Sequence, residues 1–217
     1  LYGKTIVEYF LKVLVSDMVD FKANIYKQLG ASNHTDDTRD KHDYYATEPR
    51  ATEKLLLSLN RDGVMLPNRL WECANGEGHI TRVLKTWGYD VVTSDLIDRG
   101  TIDRKLDFLA LRENPYKHCG IITNPPYKQA LAFVRKALEL LDDGELAIFH
   151  LKIQFLEGKE HYEFFRKYPP KYVYVHSSRV RCAMNGDFEK YKAAAMCYCW
   201  FIFEKGFSGD PMIKWIE

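Results

Sequence analysis

The tetrapeptide Asn124-Pro125-Pro126-Tyr127 is the segment whose residue types most clearly suggest chemistry. Two prolines make the turn rigid and leave the carbonyl oxygen of Pro125 without a partner in a sheet. The side-chain oxygen of Asn124 and that carbonyl can then accept two hydrogen bonds from one planar NH2 group. Such bonds would localise the lone pair of the amine, while Tyr127 offers an aromatic face to a planar base. A given tetrapeptide arises by chance in roughly one chain per thousand of this length, so a purely structural turn is the weaker interpretation.

A second candidate is the loop Glu72-Cys73-Ala74-Asn75-Gly76-Glu77-Gly78, which lies between a predicted strand and a predicted helix. Its two glycines let the backbone pass close to a ligand. The third glycine of a dinucleotide-binding loop is absent. Glu72 and Glu77 would repel an anion and accept a cation that bears an amine. The pattern therefore indicates either a site for such a ligand or a plain turn.

Two further carboxylates follow along the chain. Asp95 ends the next predicted strand, where it can accept hydrogen bonds from both hydroxyl groups of a ribose; the alternative is an aspartate that caps a helix. Asp107 can accept the exocyclic amine of an adenine ring, whose face Phe108 or Leu96 could cover. Together these residues predict a nucleoside site.

The elements that position these residues alternate between strand and helix. We expect strands at 69–73, 90–94, 119–123, 145–151, 171–177 and 194–204, and helices at 79–87, 129–141 and 158–167. This alternation predicts an α/β fold with a mostly parallel sheet and helices on both faces. Ligands of such sheets bind beyond the carboxyl ends of the strands, where all of the candidate residues above fall.

The amino-terminal part of the chain has a different pattern. Residues 4–29 repeat apolar side chains at helical spacing, which predicts an amphipathic helix over 1–29. Residues 30–43 are almost devoid of apolar side chains and predict a polar linker, so the catalytic domain is expected at 44–217. The broad apolar face of the helix can dock on its own domain, on a protein partner or on a second copy of the chain.

Composition excludes several classes of protein. Hydrophobic residues make up 46% of the chain and the net charge is +1, which excludes a histone-like polycation. No run of 18 uncharged apolar residues is present, so we expect no membrane span. Five cysteines form no ladder of spacings, which favours reduced thiols and a cytoplasmic protein. We expect Cys197, Cys199 and His150 to pack in the core, and we expect no metal site.

A local excess of positive charge lies near the carboxyl-terminal end. Residues 164–192 hold seven basic and two acidic side chains, and 177–193 read as a long loop between two strands. The candidate DNA contacts in this stretch are Arg179, Arg181, Lys190 and Lys192. The turn Asn185-Gly186 could carry the tip of the loop toward a groove. The alternative is a solvated loop with ordinary surface cations.

Taken in order, these motifs resemble the class I S-adenosylmethionine-dependent methyltransferases, and specifically those that methylate N6 of adenine in DNA. Asp43-Tyr44-Tyr45-Ala46-Thr47-Glu48-Pro49 resembles their amino-terminal cofactor motif, except that Glu48 separates the threonine from the proline. The loop at 72–78 resembles the first cofactor motif, with Cys73 where proline is common. The segment 124–127 is identical to the catalytic NPPY, and 155–175 is similar to small phage-type members. The order of the motifs resembles the γ arrangement.

The resemblance implies a Rossmann-like sheet of seven strands, with an antiparallel strand near the carboxyl terminus, and S-adenosyl-L-methionine as cofactor. It implies a bacterial or phage-encoded enzyme of DNA methylation, such as one of a restriction–modification system. The implied catalytic residues are Asn124, Pro125, Pro126 and Tyr127. The implied cofactor-binding residues are Tyr44, Tyr45, Thr47, Pro49, Glu72, Ala74, Gly76, Gly78, Asp95, Leu96, Asp107, Phe108 and Asn124. Methylation of RNA adenine or of a protein glutamine, and an inactive subunit that binds nucleic acid or a partner, are the alternatives.

Overall fold

The structure is a computed structural model, and it describes residues 44–189 and 196–217. The predicted helix at 1–29, the linker at 30–43, and Lys190 and Lys192 lie outside the described residues. Within the described part of the chain, no helix is both long enough and apolar enough to cross a membrane.

The described residues include four α-helices and ten strands. The helices are α1 (Pro49–Arg61), α2 (His79–Thr86), α3 (Ala130–Leu140) and α4 (Lys159–Phe165). The strands are β1 (Tyr45–Thr47), β2 (Arg69–Glu72), β3 (Asp90–Asp95), β4 (Arg104–Lys105), β5 (Gly120–Thr123), β6 (Leu146–Lys152), β7 (Tyr172–His176), β8 (Cys182–Met184), β9 (Tyr198–Glu204) and β10 (Met212–Ile216). Every strand and helix predicted from the sequence of the catalytic domain is present, with ends that differ by a few residues.

Eight strands form the main sheet in the order β10-β7-β9-β6-β5-β2-β3-β4. All neighbours are parallel except β9, which runs antiparallel to both β6 and β7. The predicted fold class, a mostly parallel sheet with an antiparallel strand near the carboxyl terminus, is therefore confirmed. The sheet has eight strands rather than seven because β10 adds an edge strand parallel to β7.

The chain reverses its direction of travel across the sheet between β2 and β5. From β2 it proceeds outward through β3 and β4, and then it returns to β5 on the other side of β2. This reversal opens a crevice at the carboxyl ends of β2 and β5, the usual place for a ligand in such sheets. Glu72 is the last residue of β2 and Asn124 directly follows β5, so the fold brings the two main sequence motifs to this crevice.

Helices cover both faces of the sheet, which buries the alternating apolar side chains of its strands. Leu55 and Leu59 of α1 and Leu84 of α2 pack on one face. Phe133 of α3 and Phe164 of α4 pack on the other face. Burial of these two layers drives folding and makes the central strands a rigid base for the loops at their carboxyl ends.

A separate ribbon of two antiparallel strands, β1 and β8, crosses the carboxyl-terminal side of the crevice. Tyr45 pairs with Met184 and Thr47 pairs with Cys182. The prediction of a continuous loop over 177–193 was therefore wrong in its centre, since 182–184 is a strand. Its partner strand is far away in the sequence, so local periodicity carries no signal for this pairing.

Candidate active site

The glycine loop joins β2 to α2 and is held by contacts on both sides. Gly76 and Gly78 have φ angles of 54° and 79°, which favour glycine. A Cβ atom on Gly76 would lie 2.2 Å from Cε2 of Tyr44. In this structure, the Tyr44 ring therefore occupies the space that a side chain at Gly76 would fill. The Tyr44 hydroxyl also accepts a hydrogen bond from the amide of Glu77 at 3.1 Å.

Asp95 lies at the end of β3 and binds the same loop. Its Oδ2 accepts a hydrogen bond from the amide of Gly76 at 2.8 Å. Its Oδ1 accepts one from the amide of Ile97 at 2.9 Å and lies 3.6 Å from the Arg99 guanidinium. Asp95 therefore ties β3 to the glycine loop, and each of its oxygens retains a second lone pair for a ligand hydroxyl.

Glu72 is almost completely buried at the end of β2. Its Oε1 accepts a weak hydrogen bond from the amide of Ala74 at 3.3 Å, and its Oε2 has no partner among the described residues. Burial raises the pKa of Glu72 to about 8, because desolvation outweighs the opposing effects of the nearby Thr123 hydroxyl and the Ala74 amide. Near neutral pH this carboxyl group is therefore mostly protonated, and a bound cation would favour its ionised form.

Asn124 follows β5 on the other side of the crevice. Its side-chain nitrogen donates a hydrogen bond of 2.8 Å to the carbonyl oxygen of Tyr45 in β1. Its Oδ1 is buried and has no partner among the described residues. The contact with Tyr45 thus fixes the orientation of the amide and leaves its acceptor atom available to another molecule.

One small cavity joins these motifs. It is lined by Tyr44, Tyr45, Ala46, Thr47, Glu72, Ala74, Asn75, His79, Ile80 and Asn124. Four of these residues carry a buried polar atom without a hydrogen-bond partner in the described chain: Thr47 Oγ1, Glu72 Oε2, His79 Nδ1 and Asn124 Oδ1. Buried polar atoms are nearly always hydrogen-bonded in proteins, so their concentration on one cavity indicates a site for a polar ligand.

The cavity is smaller than the ligand that the sequence predicts. Its volume is about 20 Å³, whereas sites for small organic ligands usually measure about 300–1,000 Å³. Tyr44 and the ribbon of β1 and β8 cover the loop from the open side. The polar atoms fit a cofactor with an amine and a sulfonium centre, and Tyr44 would have to move to admit it.

The predicted adenine contacts divide between the core and the surface. Asp107 caps a short 3₁₀ helix, Phe108–Ala110, by accepting a hydrogen bond from Leu109. Phe108 is buried and stacks on Phe133 in the core. Leu96 lies directly after β3 and is exposed. Of these residues, Leu96 offers the accessible apolar surface beside Asp95.

The remaining predicted cofactor residues lie on or beside the ribbon. Thr47 is buried at the end of β1 and lines the cavity. Pro49 is the first residue of α1, a position that suits proline because the amide of that residue has no helical partner. The threonine and the proline of the amino-terminal motif therefore place β1 against the crevice and start α1.

The Tyr127 ring lies beneath other aromatic side chains. Its centroid is 5.6 Å from that of Tyr45 and 6.1 Å from that of Tyr198. The ammonium group of Lys152 lies 4.6 Å from the same centroid. The expectation that Tyr127 presents an aromatic face to a base thus requires Tyr45 or Lys152 to give way.

Sequence reasoning missed three residues near the site. Asn75 is buried and its side chain binds Thr101 and Thr81, which fixes the glycine loop. His79 lines the cavity, and Lys152 covers Tyr127. Asn75 lies within the motif, and its short polar side chain directly before Gly76 is the one signal that could have indicated it.

His150 is fully buried, as expected, with its ring centroid 4.6 Å from that of Trp200 and 5.1 Å from that of Tyr198. Burial holds its pKa well below the usual value. Cys199 is likewise buried, and Cys197 is partly exposed; both are free thiols.

The two predicted DNA contacts within the described residues, Arg179 and Arg181, differ in whether a carboxylate balances their charge. Arg179 is exposed, and one of its guanidinium nitrogens donates to the sulfur of Cys197. Arg181 is bound to Glu48, with 2.9 Å between its Nη2 and Oε1. The turn at Asn185-Gly186 does not extend outward, since a Cβ atom on Gly186 would lie 2.6 Å from Oε2 of Glu77. The tip of the predicted loop therefore packs on the glycine loop.

Comparison with known proteins identifies the fold. No family model and no curated protein matches the chain. Among solved structures, it is similar to a provisionally assigned RNA methyltransferase from Pyrococcus horikoshii, with 14% identity over 72% of this chain and 84% of that one and a TM-score of 0.52. It is also similar to a type I restriction–modification methyltransferase subunit from Streptococcus thermophilus, with 13% identity and a TM-score of 0.52.

A third similar structure is the M protein of the type I restriction enzyme EcoKI, at 15% identity and a TM-score of 0.52. The matches cover 77% of this chain but only 47% of the Streptococcus subunit and 45% of the EcoKI protein. The described domain therefore has the methyltransferase fold, and it spans less than half the length of these two type I subunits.

Proposed function

We propose that the protein transfers a methyl group from S-adenosyl-L-methionine to the exocyclic N6 amine of adenine in DNA. The observation that carries the proposal is the pair of buried, unpartnered acceptors, Asn124 Oδ1 and Glu72 Oε2, on one cavity at the crevice. One acceptor suits a substrate amine and the other suits a cationic cofactor. The identity of 124–127 with the catalytic NPPY supports a planar NH2 group as the acceptor, and the resemblance to N6-adenine methyltransferases supports adenine.

The cofactor supplies an electrophilic methyl carbon when it is bound. Glu72 would balance its positive charge, Asp95 would accept hydrogen bonds from its ribose hydroxyls, and Leu96 would contact its base. These groups lie on loops anchored by β2 and β3, so their positions are set before binding. Prepositioning of this kind lowers the entropic cost of bringing the two reactants together.

Asn124 would act on the acceptor. Its Oδ1 and the carbonyl oxygen of Pro125 would accept the two hydrogen atoms of the target NH2 group and direct the nitrogen lone pair toward the methyl carbon. The target base would leave its stack to reach the crevice, and Tyr127 would stack on it. The proton lost from the amine would pass to water.

The charge pattern at the carboxyl edge of the sheet favours a nucleic acid over a protein glutamine. Acidic Glu72 and Asp95 lie at the ends of β2 and β3, beside the proposed cofactor site. Basic Lys128, Lys152 and Arg179 follow or end β5, β6 and β7, on the proposed substrate side. A polyanion would be attracted to the second group of side chains.

Parallel transfer reactions test the proposal. The protein is incubated with cofactor that carries a labelled methyl group and, in separate tubes, with unmethylated DNA, RNA or a protein mixture. We expect label in DNA, recovered as N6-methyladenine, and none above background with Asn124→Ala. Label confined to RNA or to protein would show that this molecule, and not DNA, is the substrate. Cofactor binding without transfer to any of the three would indicate the binding-subunit alternative.

A further inference from the structure

The orientation of the Asn124 amide depends on the short strand β1. The amide nitrogen binds the carbonyl oxygen of Tyr45 in β1 at 2.8 Å. Strand β1 has three residues and pairs with β8, which also has three. An isolated ribbon of two strands is marginally stable in water. Something beyond the ribbon's own pairing must therefore hold Tyr45 in register.

Glu48 and Arg181 close one end of this ribbon. The amide of Glu48 donates to the carbonyl oxygen of Arg181 at 3.0 Å, and the amide of Arg181 donates to Oε2 of Glu48 at 3.0 Å. The guanidinium of Arg181 donates to Oε1 of Glu48 at 2.9 Å. These contacts use both oxygens of one carboxylate, an arrangement that gives strong and directional hydrogen bonds.

Arg181 also fixes the far end of the turn that follows β8. Its Nη1 donates to the carbonyl oxygen of Phe188 at 3.1 Å. The Phe188 ring in turn packs against His79 of the cavity wall, with 5.5 Å between the centroids. One guanidinium thus connects the start of α1, the ribbon and the segment beside the glycine loop. The Glu48 side chain is largely shielded from solvent, with 15% exposed, so the pair is less screened than a surface ion pair.

We propose that Glu48 and Arg181 are positioning residues that hold β1 in register and so orient the Asn124 amide for catalysis. This inference rests on the proposed function, because it assigns Asn124 to the substrate amine. It replaces the sequence-based prediction that Arg181 contacts a DNA phosphate. It also assigns a role to Glu48, which separates the threonine from the proline in the amino-terminal motif.

Single substitutions test the pair in the full-length chain. Misplacement of a reacting group by about 1 Å can cost about a hundredfold in rate, so we expect Arg181→Met and Glu48→Gln each to lower kcat by about tenfold to a hundredfold. Cofactor Kd should stay within about twofold. The double variant should lose no more than either single variant, because both remove the same interaction. Arg181→Lys should recover part of kcat.

Matched variants separate positioning from general destabilisation. Arg166→Met removes an exposed arginine that pairs with Glu163 at 3.8 Å, and we expect it to leave kcat unchanged. In an Asn124→Ala background, Arg181→Met should lower the residual rate little further, because the group that it positions is already absent. A purely structural role would lower that residual rate by the same factor as in the parent.

A measurement that needs no catalysis keeps the inference separate from the proposed function. The side-chain NH2 signal of Asn124 can be assigned in nitrogen-15 NMR spectra by its loss in Asn124→Ala. We expect its hydrogens to exchange with solvent faster in Arg181→Met and at the parent rate in Arg166→Met. Unchanged exchange together with parent kcat would overturn the inference. A weaker Kd for DNA with unchanged kcat would also overturn it and return Arg181 to a phosphate.

Discussion

The two sides of the crevice are built from different chemistry. On the side of β2 and β3, the groups that line it are carboxylates and backbone amides, such as Glu72, Asp95 and Gly76. On the side of β6, β7 and β9, planar rings pack behind the crevice, including His150 and Tyr198, whose centroids are 5.1 Å apart. Burial lowers the pKa of both His150 and its neighbour His176, the latter to about 4. The first side therefore offers carboxyl groups, whereas the second offers uncharged rings with basic side chains such as Lys152 at its edge.

This difference matches two ligands of different character. A carboxylate-lined side suits a cation, whereas a side made of uncharged rings suits a planar base. Asn124 lies at the boundary, since its nitrogen binds the ribbon and its oxygen borders the cavity shared with Glu72. The comparison implies that substitutions on the first side change cofactor affinity, and that substitutions at the boundary change the rate of transfer.

The largest effect is expected at the boundary. Asn124→Ala removes the proposed acceptor for the substrate amine, and loss of one oriented polar group at a reaction centre typically costs about a hundredfold or more in rate. Cofactor affinity should change little. Single-turnover transfer and cofactor titration measure the two quantities, with Asn60→Ala on the exposed end of α1 as the control. Transfer near the parent rate in Asn124→Ala would remove this residue from the mechanism.

The next largest effect is expected on the charged side. Asp95→Ala removes the carboxylate that holds Gly76 and that would bind the ribose. A hydrogen bond to a charged group is worth about 1.5–3 kcal/mol, so we expect cofactor Kd to rise by about tenfold to a hundredfold, as measured by calorimetry. Asp98→Ala, which changes an exposed carboxylate three residues away, should bind like the parent. Parent affinity in Asp95→Ala would show that the ribose site lies elsewhere.

The third prediction concerns the pH dependence of cofactor binding. The pKa of Glu72 is about 8 without ligand, and a cation favours the ionised carboxyl group. Binding below pH 8 should therefore release a proton, and affinity should rise toward pH 8 by up to about tenfold per unit. Glu72→Gln should lose this contribution. The cofactor's own amine titrates equally in both proteins, so their difference isolates Glu72. Parallel curves for parent and variant would contradict the assignment.

Glu72→Gln, which should weaken cofactor binding, should stabilise the folded protein. The pKa of Glu72 is raised from the ordinary value of 4.5 to about 8 in the folded protein, so ionisation of this group opposes folding. The parent should lose stability as pH rises from 4.5 to 8, and Glu72→Gln should lose less. We expect the variant to have the higher Tm at pH 8 and a smaller advantage at pH 5. Glu157→Gln, at an exposed carboxylate, should follow the parent.

The contrast between local and distant pairing explains what the sequence could predict. The apolar runs at 119–123 and 145–151 predicted the central strands because the composition that marks a buried strand lies within the run itself. The crevice followed from the order of strands and helices, which placed Glu72, Asp95 and Asn124 at one edge before any contact was known. Those predictions needed only the chain order.

Distant partners account for what was missed. The strand at 182–184 is defined by β1, and the role of Arg181 is defined by Glu48, which lies 133 residues earlier. A count of local charges cannot detect a carboxylate at that separation. The covering of Gly76 by Tyr44 and of Tyr127 by Tyr45 belongs to the same class, since both involve the ribbon. The sequence therefore predicted which residues meet at this edge of the sheet, but not the segments that cover them.

The smallest predicted effect separates the two arginines of the basic segment. Arg179 is exposed, and its contact with the Cys197 sulfur does not neutralise its charge. The charge of Arg181 is balanced by Glu48. DNA affinity falls with salt by a log–log slope of about 0.9 for each phosphate contact on duplex DNA. We therefore expect Arg179→Ala to reduce the slope by about 0.9 and Arg181→Ala to leave it unchanged.

The slope is obtained from binding titrations with one DNA duplex at four or more salt concentrations. Lys85→Ala in the last turn of α2, far along the helix from the crevice, is the matched control for loss of one surface cation. The double variant Arg179→Ala/Arg181→Ala should have the slope of Arg179→Ala alone. An equal reduction of the salt slope in Arg179→Ala and in Arg181→Ala would mean that bound DNA separates Arg181 from Glu48. The pair would then belong to the substrate side of the crevice, and the division between a cofactor side with carboxyl groups and a substrate side without them would fail at this point.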